Sequence, residues 1–193
     1  MGAIVPTTEL EAVNEMLRSI SESPVETLTA GNADAQDATT LLRKWAKSIQ
    51  ALGWDFNTEE MTLTPDVDGF IALPADCLKV SVTRAYASRK LVERNRKLYS
   101  KYTNSYVHTS SCKAEIVTAL TFTYLPEPAR DYVTALAGYE FAHTQLGAEP
   151  NMTFTKERVL QAKNNMLQHE VQHTRPNSIR DSYHTSQIVK RSL

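Results

Sequence analysis

Leu41-Leu42-Arg43-Lys44-Trp45-Ala46-Lys47-Ser48-Ile49-Gln50-Ala51-Leu52-Gly53-Trp54 marks the point at which this sequence changes its period. Up to Leu52 the apolar residues Ala38, Leu41, Leu42, Trp45, Ile49 and Leu52 return every three or four positions, which is one face of an amphipathic helix. Gly53 is a natural stop, because glycine takes up the left-handed conformation that closes a helix. Over 54–126 no helical stripe is sustained. Turn signals at Pro65-Asp66, Asp68-Gly69 and Pro74-Ala75-Asp76 separate short β-forming runs at 79–83, 97–99 and 116–124. These predict a small antiparallel sheet with long polar loops.

On the N-terminal side, Thr8 and Glu11 have the spacing of a capping box, and Leu10, Val13, Leu17 and Ile20 form one apolar stripe behind it. A turn-rich stretch at 31–34 precedes the second helix, whose positive end suits Asp34 and Asp37. On the C-terminal side, Pro126-Glu127-Pro128 opens a third helix with Tyr132, Leu136, Tyr139 and His143 on one face and Gly147 as its stop. Thr155 caps a fourth, carrying Val159, Leu160, Met166, Leu167 and Val171, and Pro176 closes it. The fold class is therefore α+β. Two N-terminal and two C-terminal helices (1–53 and 127–173) form a four-helix bundle, a β domain is inserted at 54–126, and an extended C-terminal arm follows at 174–193.

The chain has 193 residues, enough for one domain with an insertion, and a hydrophobic content of 41%. Its formal net charge of −1 argues against a generally basic nucleic-acid binder. That near-neutral total is polarised along the chain. Residues 1–76 carry 4 basic against 13 acidic side chains, and residues 77–193 carry 17 against 9. Such polarity suits head-to-tail association, unless the two segments intermix in space and cancel. Cys77 and Cys112 form neither a metal pair nor a disulfide framework. The opening Met-Gly-Ala-Ile-Val-Pro lacks the features of a signal peptide, and no stretch approaches membrane-spanning length. The expectation is a soluble protein made in a cytoplasm, with no membrane partner.

One motif has the form of an enzyme. His169-Glu170-Val171-Gln172-His173 spells H-E-x-x-H, which on a helix presents two imidazoles to one Zn²⁺ and a glutamate to its water. No following residue supplies a third ligand in the peptidase pattern, and the motif stands in the last turn before Pro176. As last-turn residues the histidines also favour the negative helix end when protonated. His108 and Cys112, four apart in a Ser/Thr-rich loop, are at best a chance nucleophile pair. The expectation is no catalytic set, no metal and no cofactor.

Interaction chemistry is more prominent. Between Lys79 and Tyr106 lie eight cations, including Arg84, Arg94 and Arg96, interleaved with Tyr86, Tyr99, Tyr102 and Tyr106 and with Glu93 as the single acid. Cations beside rings are the ingredients of single-strand binding, and equally of a protein interface. The interface reading is favoured, since the polarised chain offers acidic surface on its own copies. The final segment carries Arg175, Arg180, Lys190 and Arg191 against Asp181, with Ile179, Tyr183, Ile188, Val189 and Leu193 as its apolar residues. It is either a frayed tail or an arm that orders on a partner.

Several stretches then resemble one family. Glu9-Leu-Glu-Ala-Val-Asn-Glu-Met-Leu-Arg-Ser-Ile-Ser-Glu-Ser-Pro-Val-Glu-Thr-Leu is similar to the opening of the tail tubular protein A family of short-tailed phages. Leu52-Gly53-Trp54-Asp55-Phe56-Asn57-Thr58-Glu59-Glu60, Leu63-Thr64-Pro65-Asp66 and Leu73-Pro74-Ala75-Asp76-Cys77-Leu78 follow in the same order, as does the Leu125-Pro126 turn into a helix with Tyr132, Ala137 and Phe141. The resemblance implies a virion protein assembled in the host cytoplasm. It implies a head-to-tail adaptor ring, usually of twelve copies, between the portal protein and the nozzle of tail tubular protein B, with double-stranded DNA passing through the lumen unbound. Free protein would be monomeric. The arm residues Arg175, Ile179, Arg180, Tyr183, Ile188, Val189, Lys190, Arg191 and Leu193 would dock on the portal. Arg84, Tyr86, Arg94, Arg96, Tyr99 and Tyr102 would meet a neighbouring subunit or the nozzle.

Overall fold

Helix α1 (Glu9–Ser19) starts where its cap requires. The Thr8 hydroxyl accepts from the Glu11 N–H at 3.2 Å, and the Glu11 carboxylate accepts from the Thr8 N–H at 2.7 Å. That backbone bond, reinforced by the Thr8 hydroxyl, holds the Glu11 carboxyl below its ordinary pKa. A computed structural model describes residues 5–29, 31–83, 90–147 and 154–173. Within them the chain is α+β, with helices at both ends and two small antiparallel sheets between.

Ala12, Val13, Met16 and Leu17 are the buried face of α1, so the core stripe is wider than the leucines alone and Leu10 lies at its margin. Helix α2 (Ala33–Gln50) is capped by Asn32, whose side-chain oxygen accepts from the Ala35 N–H at 2.9 Å. Its buried face is Ala35, Ala38, Leu42, Ala46 and Ile49. Leu52, expected in that stripe, stands beyond the helix end and is 65% exposed. Gly53 follows at φ +83°, in the left-handed region.

Strands β1 (Thr58–Leu63), β2 (Cys77–Val82) and β5 (Cys112–Thr118) form a sheet in the order β1-β5-β2, all antiparallel. Strands β3 (Leu91–Arg94) and β4 (Lys97–Ser100) form a separate hairpin. Three expectations are corrected here. The run predicted at 116–124 belongs to β5, which ends at Thr118, and Phe122–Tyr124 is a 3-10 turn. β1 escaped prediction because it is an edge strand whose four central residues, Glu59 to Thr62, all face solvent. β3 escaped because its hairpin turn is Asn95-Arg96, at φ 51° and 57°, the left-handed pair that ordinarily calls for glycine.

Helix α3 (Glu127–Leu146) buries Ala129, Val133, Ala137, Gly138 and Phe141. The face expected to lead, Tyr132, Leu136 and Tyr139, is only partly buried at the core's margin. Helix α4 (Lys156–His173) is capped as expected, the Arg158 N–H donating to the Thr155 hydroxyl at 3.2 Å. Its packing departs from expectation: Ala162 and Met166 are buried, while Leu160, Leu167 and Val171 are exposed. α1, α2 and α3 pack pairwise, and α4 lies against α3. Phe154 enters this assembly completely buried, and a Cβ on Gly138 would stand 2.5 Å from its ring. A second apolar cluster, Leu63, Ile71, Leu73, Leu98, Cys112, Ala114 and Ile116, lies within the β region.

Polar ties cross between helices. Glu140 of α3 accepts from the Lys44 ammonium at 2.7 Å and from the Trp45 indole N–H at 2.6 Å, both on α2. The Lys44 bond is the main reason its carboxyl lies below the ordinary range; partial burial opposes it and the indole adds to it. A carboxyl whose pKa falls on folding stabilises the fold above its unfolded pKa, about 4.3, and loses that contribution as pH drops through the folded value. Glu140→Gln should therefore flatten the loss of thermal stability between about pH 5 and pH 3. Parallel melting-temperature curves for the two proteins over that window would contradict the assignment.

Candidate interaction surfaces

The chain leaves the helices once and returns once, and buried amides hold the two crossings together. The Gln50 side chain pairs with the Leu120 backbone as a strand would: its amide donates to the Leu120 carbonyl at 3.0 Å and its oxygen accepts from the Leu120 N–H at 2.7 Å. Asn57 donates to the Gln50 carbonyl at 3.0 Å and the Thr118 carbonyl at 2.9 Å, and accepts from the Trp54 N–H at 2.9 Å. Both side chains are buried, at 2% and 1% exposure. Satisfied amides at this depth fix one geometry, since any slippage strands a buried polar atom. The end of α2 is thereby held to the start of β1 and to the segment that leaves β5.

Glu170 adds a third crossing. Its carboxylate accepts from the Asp55 N–H at 2.8 Å, at the start of the 3-10 turn that leads into β1. The glutamate of the H-E-x-x-H sequence is thus a tie between the end of α4 and the β region. His169 is partly exposed in the same turn. Among the described residues no group of three or more His, Cys, Asp or Glu could hold a metal ion. Glu170→Ala, which removes the accepting oxygen, should cost about 1 kcal/mol, and Glu170→Gln, which keeps it, should cost less. Equal losses in both, measured by urea unfolding, would contradict a tie made through that oxygen.

The β3–β4 hairpin carries the cations and rings singled out in the sequence. Arg94 lies with its guanidinium carbon 4.1 Å from the Tyr99 ring centroid, and Tyr99 meets Tyr106 edge to face at 4.9 Å. Tyr102 projects from the following loop at 74% exposure. Arg96 is engaged inside the subunit: its guanidinium donates to the Pro74 carbonyl, and its own carbonyl accepts from the Leu73 N–H at 2.9 Å. Lys97 lies 4.1 Å over the Phe70 ring. Arg94 and Tyr99 are thus brought together, Tyr102 stands apart in the loop beyond them, and Arg96 holds the hairpin against the neighbouring turn. Arg84 and Tyr86 lie outside the described residues. So do all the arm positions: Arg175, Ile179, Arg180, Tyr183, Ile188, Val189, Lys190, Arg191 and Leu193.

Two shallow grooves complete the surface. One, of about 320 Å³, is lined by Glu15, Glu127, Asp131, Thr134 and Asn165 between α1, α3 and α4. Arg158 bridges its carboxylates, 2.7 Å from Glu15 and 3.9 Å from Asp131, and burial pushes the Asp131 carboxyl upward despite that cation. The other, of about 390 Å³, lies among the hydroxyl-rich loops near Tyr102 and His108. His108 is buried there, its Nε2 3.0 Å from the Leu98 carbonyl, and so serves the packing of the loop. No helix of the described residues is long and apolar enough to cross a membrane.

Sequence reasoning missed Gly138, Phe154, Gln50, Asn57 and Arg130. Only Gly138 left a signal, as a glycine in the middle of an otherwise good helical pattern.

Comparison with known proteins gives two matches. The sequence model described as Tube, tail tubular protein, matches residues 10–176. The chain is also 28% identical over 167 residues to the Tail tubular protein A of Klebsiella phage KP34, covering 86% of this chain and 89% of that protein.

Proposed function

We propose that this chain, which belongs to the tail tubular protein family and is thus a structural protein of a phage tail and not an enzyme, is the adaptor ring between portal and tail nozzle. The zinc-peptidase alternative built on His169, Glu170 and His173 falls with that membership. The observation that carries the proposal is the extent of the family match. Residues 10–176 take in nearly all of α1 and every later described element.

In this reading the units are a four-helix body at 1–53 and 127–173, a β domain at 54–126 and an arm at 174–193. A closed ring, twelve copies in the virion, requires each subunit to present two different patches. The acidic N-terminal portion and the basic C-terminal portion of the chain supply patches of opposite sign. Arg94, Tyr99 and Tyr102 meet the neighbouring subunit or the tail tubular protein B nozzle, and Arg96 contributes by holding their hairpin. The ring stands at the portal vertex and surrounds the path of genome ejection. Its lumen passes double-stranded DNA without gripping phosphate, since a tight electrostatic contact would hinder passage.

The arm docks on the portal and pays its ordering entropy there, which keeps the free protein monomeric. Deleting residues 175–193 should abolish co-sedimentation with portal rings while the far-ultraviolet helical signal remains. Undiminished binding by the truncated chain would sink the arm assignment. A single-strand-binding role for the hairpin predicts instead a steep salt dependence that weakens in Arg94→Ala.

A further inference from the structure

The three-stranded sheet ends in two edges of unlike charge. β1 and β2 both pair antiparallel with β5, so they run parallel to each other on its two sides. Among the described residues neither pairs with a second strand. An unpaired edge is a row of N–H and C=O groups prepared for another strand. β1 carries Glu59 and Glu60, and Glu59 to Thr62 are all exposed. β2 carries Lys79 as its one charged residue, exposed beside the half-buried Val80.

The sheet register fixes which side chains share a face. Glu60 and Ser81 stand opposite Glu115, and Met61 and Val82 stand opposite Ala114. By alternation, Glu60, Thr62, Lys79 and Ser81 lie on one, polar face. Met61 and Val80 lie on the other, with Ala114 and Ile116 of the second apolar cluster. A second copy set beside the first without being turned over brings its β2 parallel to β1. One register then matches at three successive positions: the partner's Lys79 beside Glu60, the partner's Val80 beside Met61 and the partner's Ser81 beside Thr62. Glu60 accepts from Lys113 of its own chain at 3.1 Å, yet both side chains stay more than half exposed, which leaves room for a second cation.

Like edges do not match. β1 against β1 gathers four carboxylates along one seam, and β2 against β2 gathers two ammonium groups with no acid. Charge thus opposes pairs of one edge and favours the head-to-tail contact that a ring requires. The basic hairpin adds to the positive side, since Arg96 ties it to the Pro74 carbonyl just before β2.

We propose that β1 of one copy takes β2 of the next as an added strand, so that the sheets of successive copies join edge to edge. The proposal rests on the ring part of the adaptor reading and gives that ring a seam, acidic on one side and basic on the other. Each edge is only six residues long, so free copies meet transiently and the ring closes where the portal gathers them.

The test mixes two full-length variants, both carrying Cys77→Ser, one with Met61→Cys and the other with Val80→Cys. Cys112 stays in both, at 1% exposure. The short linker bismaleimidoethane collects transient contacts covalently. The mixture should give a dimer linked from position 61 to position 80, and either variant alone should give little. Adding Glu59→Lys and Glu60→Lys to the first variant should remove that dimer, and adding Lys79→Glu to the second should restore it, with circular dichroism unchanged throughout. A mixture no better linked than its components, or a dimer indifferent to both charge reversals, would overturn the proposal. No portal is present, so the seam can fail while the portal complex, weighed separately, still forms.

Discussion

Phe154→Ala is expected to destabilise the protein by about 3–5 kcal/mol, a large part of the 5–15 kcal/mol typical of a domain. The ring is fully buried, and it fills the notch that Gly138 leaves in α3. The Arg158 guanidinium also lies 4.8 Å from its centroid, and that same arginine reaches Glu15 of α1. Removing the ring opens a cavity at the base of α4 and loosens its hold on both helices. The converse substitution sharpens the test. Gly138→Ala sets a methyl group 2.5 Å from the ring and should cost about 1–3 kcal/mol by overpacking. In the Phe154→Ala background the clash is gone, and the same change should become neutral or stabilise by up to about 1 kcal/mol, the gain of alanine over glycine within a helix. Urea unfolding of the four proteins reads this reversal of sign as a coupling energy. Additive effects would contradict the packing described.

Arg130→Met is the second large effect, about 3–5 kcal/mol. Arg130 is 8% exposed, and its guanidinium donates to three carbonyls from two distant segments. One bond goes to Leu125 at 2.8 Å, one to Thr7 at 2.8 Å and one to Thr123. It joins the segment before α1, the 3-10 turn after β5 and the first turn of α3. Methionine keeps much of the stem and removes every donor. Lysine should recover only part of the loss, because a point charge cannot serve three separated acceptors as a planar fork does. Faster amide exchange at the start of α1 in both variants would accompany the loss. Full stability in Arg130→Met would show that those carbonyls find other donors.

Features set by residues near one another were legible in the sequence, and features set by distant partners were not. The Thr8–Glu11 box could be read because both halves of its reciprocal bonding lie within one turn. Gly147 could be read as a stop because a positive φ, here 72°, is a local demand. The inward face of α3 was misjudged because close packing placed its small residues, Ala137 and Gly138, against the core and left Tyr132 and Tyr139 at the margin. Hydrophobicity ranks those residues the other way. Asn95-Arg96 hid a hairpin because arginine occupies the position that glycine would announce. Glu170 was legible as chemistry and misleading as function. Its partner, the Asp55 N–H, is 115 positions away, and no short motif can encode such a contact.

Of the surfaces proposed for assembly, Arg94, Tyr99 and Tyr102 could be identified from composition because cations and rings were already adjacent in sequence. Arg96 shared that composition, yet its guanidinium is engaged at the surface by the Pro74 carbonyl of its own chain. Leu160, Leu167 and Val171 of α4 are legible as apolar periodicity, a pattern that serves a core and an exposed face alike. Exposure separates the two uses of one pattern, and exposure depends on which side of α4 meets α3.

The most direct test of the adaptor reading is the mass of the product when the purified full chain is mixed with the portal ring of the same phage and examined by native mass spectrometry. The account predicts a discrete complex in which many copies of this chain, twelve in a completed ring, join one portal. Folded chain that stays monomeric beside an unchanged portal ring would contradict it.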